Sequence, residues 1–151
     1  MAVLVQSRLQ PKEIDAGRIE NVASRILEYL DLFDCEISIL LVNDAEIRDI
    51  NRRYLGRDYA TNVISFPMAE GDYSDVNAHV LGDVVVSVET ARRDAERVHI
   101  PFEDIIDFFL IHGVCHLIGY DHEQPDGDAA AMIKKEDELF FALKGYVLER
   151  S

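Results

Sequence analysis

Apolar residues recur along this chain with two periods, one near 3.6 and one of 2. Residues 16–31 set Ile19, Val22, Ala23, Ile26, Leu27 and Leu30 at helical spacing, the stripe of an amphipathic helix. Residues 2–8 alternate weakly, as an edge strand does. Glu36 to Val42 is rich in Ile and Leu and reads as a second strand. Asn43 and Glu46 have the form of a capping box, with Asn as N-cap and Glu reaching back. The helix they open would carry Ile47, Ile50, Tyr54 and Leu55. Thr61 to Phe66 predicts a short strand stopped by Pro67. Residues 68–79, with Gly, Asp, Ser and Asn, read as a surface loop. Val80 to Val88 is β-branched and apolar, the pattern of a buried central strand. Glu89 to Val98 is charged and helical. Pro101 then opens a helix through about Leu117, and Gly119 is placed to end it. Asp128 to Leu143 is a final helix stopped by Gly145. The sum is one α+β domain over residues 1–151, about five helices with a small mixed sheet.

Composition agrees with a folded domain. The 151 residues are 48% hydrophobic and 29% charged, enough to bury a core and too apolar for disorder. The most apolar stretch, Phe108 to Tyr120, is too short to span a bilayer and carries two histidines. No positive leader or cleavage site is visible at the N-terminus, so a cytoplasmic protein is expected. The two cysteines, Cys35 and Cys115, form no disulfide framework and are read as reduced, with Cys115 a small buried helix residue rather than a nucleophile. The net charge of −14 tells against a nucleic-acid coat protein, though not against RNA as substrate. Two basic groups, Arg48, Arg52, Arg53 and Arg57, then Arg92, Arg93 and Arg97, read first as solvated helix faces.

Chemistry concentrates between residues 112 and 122. His112 and His116 stand four apart, so on a helix both imidazoles share one face, one turn from each other. Gly119 lets the chain turn, which would swing His122 back toward the same point. Three neutral nitrogens leave a fourth tetrahedral position open for water, the arrangement of a catalytic zinc site, and such an ion acidifies water for hydrolysis. The spacing also matches H-x-x-x-H-x-x-G-x-x-H metalloproteases. Those enzymes carry a Glu general base directly after the first histidine, and here that position is Gly113. Asp121, Glu123 and Asp83 are the carboxylates expected to stand in, the first two equally readable as turn residues or as partners that orient a histidine.

The same segment, His-Gly-x-x-His-Leu-x-Gly-Tyr-Asp-His, resembles the signature of the bacterial endoribonuclease and rRNA maturation factor family, the YbeY family. Asn51-Arg52-Arg53-Tyr54, Asp58 and Thr61-Asn62-Val63-Ile64-Ser65-Phe66-Pro67 are similar to a second family block, and Leu81-Gly82-Asp83-Val84 to a third. The resemblance runs from about residue 40 to the C-terminus. It implies a single-domain, cytoplasmic, zinc-dependent and single-strand-specific endoribonuclease, holding one zinc ion through His112, His116 and His122. It further implies a role in maturing the 3′ end of small-subunit rRNA and in ribosome quality control. The implied partners are ribosomal RNA, the small subunit or its proteins, and assembly GTPases, with neither membrane nor DNA. Two positions depart from the family pattern. Leu55 stands where many members have Arg, and Cys115 where Leu is common. Arg57 is the candidate to take over the phosphate contact, its direction on a helix turned by about 200° from position 55.

Thr61 and Asn62 would bring hydroxyl and amide groups to a cleft, with Ile64 and Phe66 turned to the core. Asp83, inside an apolar strand, is expected to be buried with a partner. His79 and His99 read as surface residues. Two rival functions stand beside the ribonuclease: a zinc metalloprotease-like hydrolase, testable by Gly113→Glu, and a ribosome-assembly factor whose zinc is structural.

Overall fold

The computed structural model describes residues 3–10, 13–68, 79–120 and 127–149. Its elements run β1 (Val3–Ser7), α1 (Ala16–Tyr29), β2 (Glu36–Val42), α2 (Asp44–Leu55), β3 (Val63–Pro67), β4 (Val80–Ser87), α3 (Val88–Val98), α4 (Phe102–Leu117) and α5 (Gly127–Lys144). The four strands form a mixed sheet in the order β1-β2-β4-β3, with β3 alone antiparallel. The α+β expectation therefore holds, and β4 is central as its apolar run predicted. The expected loop at 68–79 falls mostly outside the described residues.

Side-chain alternation assigns the two faces of this sheet. Ile37, Ile39, Leu41, Val84 and Val86 join a core with α1, α3, α4 and α5. Leu40, Val42, Ile64, Phe66 and Val85 point the other way, against Ile47 and Ile50 of α2. Helix α4 is the hub. It packs on β3, β4, α1, α3 and α5, and nearly every residue from Ile105 to Leu117 is buried. A helix apolar all round belongs in the interior, and that sets His112 and His116 on the central helix of the fold.

Several local expectations change. Asn43 caps α2 by accepting from the Glu46 N–H at 2.9 Å, but the Glu46 carboxylate pairs with Arg8 instead of reaching back. The inner face of α2 carries Ile47 and Asn51, while Tyr54 and Leu55 are exposed. Pro67 lies within β3 rather than after it, which an edge strand permits. Ser87 caps α3 by accepting from the Thr90 N–H, so that helix starts at Val88, one residue earlier than expected. Asp83 is exposed, not buried. Asp83 pairs with Ser38 and alternates with Val84 and Val86, so it lies on the face away from α4. Gly82 pairs with Ile37 just after a register shift and stands at φ 140°, where a Cβ would lie 2.2 Å from the Phe66 carbonyl oxygen.

Candidate active site

A cleft of about 1070 Å³ opens between the C-terminal half of α4, strand β3 and the segment after α2. His112 and His116 line it together, ring centroids 4.7 Å apart and nearly perpendicular. One-turn spacing on a rigid buried helix produces that arrangement. Helix α4 ends at Ile118, and Gly119 at φ 107° turns the chain off the helix. His122, Asp121 and Glu123 lie outside the described residues. Among the described residues no group of three metal-ligating side chains occurs.

The His112 ring is held from behind. Glu136 of α5 is 2% exposed, and its Oε2 stands 2.5 Å from His112 Nδ1. A carboxylate only accepts, so Nδ1 donates its proton to Glu136, and Nε2 is the ring nitrogen turned away from that carboxylate. Imidazoles that bind metals are commonly supported in this way. Two imidazoles on one cleft wall, one with its tautomer set by a buried carboxylate, fit a bound transition metal. Cys115 does not contribute. It is buried between the two histidines in sequence, and burial, with the Glu136 charge adding, pushes its thiol up to about 12. It stays protonated, in accord with its reading as a packing residue.

Gly113 has a steric reason. A Cβ there would meet Val84 Cγ1 at 2.6 Å and Val63 Cγ1 at 3.2 Å. The residue after His112 thus faces the sheet, and no side chain fits. A Glu at this position would break the α4 seat instead of supplying a base, so Gly113→Glu tests packing, not proteolysis. Ser65 strengthens that seat by donating its hydroxyl to the Gly113 carbonyl at 2.9 Å.

Leu55, Arg57, Thr61, Asn62 and Tyr120 also line the cleft, as anticipated for Arg57, Thr61 and Asn62. Asp83 does not. Helix α2 stops at Gly56, in the left-handed region at φ 69°, so Arg57 lies beyond the helix and helical spacing does not set its direction. Asn51 anchors this segment. Its carbonyl accepts from the backbone N–H groups of Gly56 and Arg57, and its buried amide donates to the Tyr59 carbonyl at 2.9 Å. The other arginines of the first basic group are engaged locally, Arg48 with Asp58 and both Arg52 and Arg53 with Asp49. Arg57 has no ion pair among the described residues, and it is the arginine that lines the cleft.

Sequence reasoning missed Asn51, Ser65 and Glu136 as site residues. Glu136 left a signal: it lies on the buried stripe of α5 with Met132, Leu139 and Phe140, where an apolar residue belongs.

Over residues 5–144 the chain matches the family model for Endoribonuclease YbeY. The chain belongs to the YbeY family. A YbeY endoribonuclease from Syntrophus aciditrophicus is 49% identical over 150 residues, covering 99% of this chain and 94% of its own. One from Syntrophotalea carbinolica is 45% identical over 141 residues, covering 93% and 94%. A solution structure of a Thermotoga maritima protein superposes with a TM-score of 0.67 at 26% identity, covering 95% of this chain and 89% of that one. The family is one of endoribonucleases, hence hydrolases, and the match includes β3, β4 and the histidine helix together. No described helix is long and apolar enough to cross a membrane.

Proposed function

We propose that this YbeY-family protein is a zinc-dependent, single-strand-specific endoribonuclease of the cytoplasm that matures the 3′ end of small-subunit rRNA and acts in ribosome quality control. The observation that carries the reading is the pair His112 and His116 on the cleft wall, with Glu136 behind the first ring, in a chain of an endoribonuclease family. His112 and His116 hold the ion through their ring nitrogens, and His122, which follows the Gly119 turn, is the third ligand. A zinc ion there supplies Lewis-acid chemistry, polarising a phosphodiester and acidifying water.

The remaining roles belong to this chain's own groups. Arg57 neutralises a backbone phosphate at the cleft mouth, in place of the arginine that Leu55 lacks. Asn51 keeps that arginine's segment on α2. Thr61 and Asn62 offer polar contacts at the start of β3. The surplus of acidic groups repels RNA from the rest of the surface, so binding concentrates at this cleft. It also suits protein partners on the small subunit, ribosomal proteins or assembly GTPases, that present the RNA. The protease reading is disfavoured because the position of its general base faces the sheet. A purely structural zinc is disfavoured because both histidines line an open cleft.

The test compares wild type with His116→Ala on a small-subunit rRNA 3′-end fragment, each with zinc and with chelator, after circular dichroism shows both folded. Zinc-loaded wild type is expected to cleave, and the variant to lose about 10³-fold, the worth of several kcal/mol of Lewis-acid stabilisation. Equal cleavage by chelator-treated wild type overturns the reading.

A further inference from the structure

One polar group occupies a place where folding calls for an apolar residue. Glu136 is a carboxylate on the buried stripe of α5, between Met132 and Leu139. Its carboxylate pairs with the His112 ring. A buried carboxylate facing an imidazole is an expensive way to join two helices, since apolar residues at the same place would do so without desolvation. What the carboxylate adds is direction. It fixes the His112 tautomer and, with His116 edge-on at 4.7 Å and Phe108 at 6.4 Å, sets the ring's rotation.

We infer that Glu136 is the positioning residue of the metal centre: from a different helix, it fixes the tautomer and rotation that present His112 Nε2 to the ion. The inference rests on the proposed zinc reading. It assigns α5 a part in the site although α5 contributes no ligand. The role acts through His112, so Glu136 touches neither substrate nor ion.

Two variants separate positioning from packing. Glu136→Gln keeps an acceptor oxygen at the same place. Glu136→Met removes it and sets an unbranched apolar side chain among Met132, Leu139 and Phe140. Metal-free samples are melted by circular dichroism, and zinc affinity is then measured by competition with a chelating indicator at a temperature where each is folded. Cobalt(II) absorption reports the coordination geometry. Glu136→Met is expected to lose about 10–100-fold in zinc affinity, with Glu136→Gln between it and wild type. The cobalt bands of the Met variant should shift, a change that altered packing alone would not produce in a folded sample. Equal zinc affinities for the Met and Gln variants overturn the role, because the acceptor oxygen then counts for nothing. A wild type that binds no zinc overturns the metal centre itself, and this role with it.

Discussion

Helices α4 and α5 are joined by two buried carboxylates of opposite character. Asp107 of α4 is fully buried and lies between two cations. Arg18 of α1 grips it with two nitrogens at 3.1 and 3.0 Å, and Lys144 of α5 reaches it from the other side. Glu136 of α5, nearly as buried, faces an imidazole. The first arrangement ties three helices and is complete in itself. The second orients a ring that lines the cleft, so it bears on the site as well as on the fold. Burial alone does not distinguish a fold clamp from a site residue; the partner's chemistry does.

Removing the clamp should have the largest effect. Asp107→Ala leaves Arg18 and Lys144 facing each other across an emptied site. It should lower stability by about 3 kcal/mol, the lower end for a broken buried pair because both cations keep some solvent. Chemical denaturation measures this, and zinc affinity of the folded variant should stay near wild type. The same pair predicts an alkaline effect. Burial alone would lower the Lys144 pKa, but hydrogen bonds and charges from Asp107 and Asp104 raise it. That stabilisation is fully present below the unfolded value of about 10.4 and is lost as pH rises through the higher folded value. Asp107→Ala should flatten that alkaline limb.

Next in size is Gly113→Ala. Its Cβ would press on Val84 at 2.6 Å, a strain of about 1–3 kcal/mol that also shifts His112. Unlike Asp107→Ala, this change should reduce melting temperature and zinc affinity together. A variant that melts like wild type would show that α4 is not seated on the sheet as tightly as this contact requires.

A third carboxylate sharpens the comparison with smaller numbers. Burial alone would raise the Asp44 pKa, but hydrogen bonds from Ser87, Thr90 and Arg93 hold it below the usual aspartate range. Its contribution is present above the unfolded value of about 3.9 and is lost as pH falls through the folded one. Asp44→Asn should lose about 1 kcal/mol at neutral pH, the worth of one such hydrogen bond. The gap to wild type should close in acid denaturation below about pH 4. The smallest effect is that of Arg57→Ala. It should leave stability unchanged and reduce the salt slope of single-stranded RNA binding by about 0.7, one phosphate contact. An unchanged slope would move the phosphate contact to another residue.

Much of this was legible in the chain. The periods of α1, β2, β4 and α4 were plain because each buries one face or all of itself. The pairing of His112 with His116 followed from helical spacing alone. Asp83 was misjudged because the apolar run of β4 read as buried on both faces, whereas Asp83 alternates with Val84 and Val86 and stands exposed on the face away from α4. Arg57 was set on a helix that Gly56 in fact ends. Of the apolar residues expected on α2, Tyr54 and Leu55 are exposed, while Asn51 is buried with Ile47.

The sequence by itself determined the elements, the helix that carries the histidines and the family, because periodicity and contiguous motifs are local properties of the chain. Only the tertiary structure decided which side chains stand behind them. His112 and Glu136 are 24 residues apart, and Ser65 and Gly113 are 48 apart. Such pairs exist because helices pack on a sheet at one register, and packing is a property of surfaces brought together, not of neighbours along the backbone.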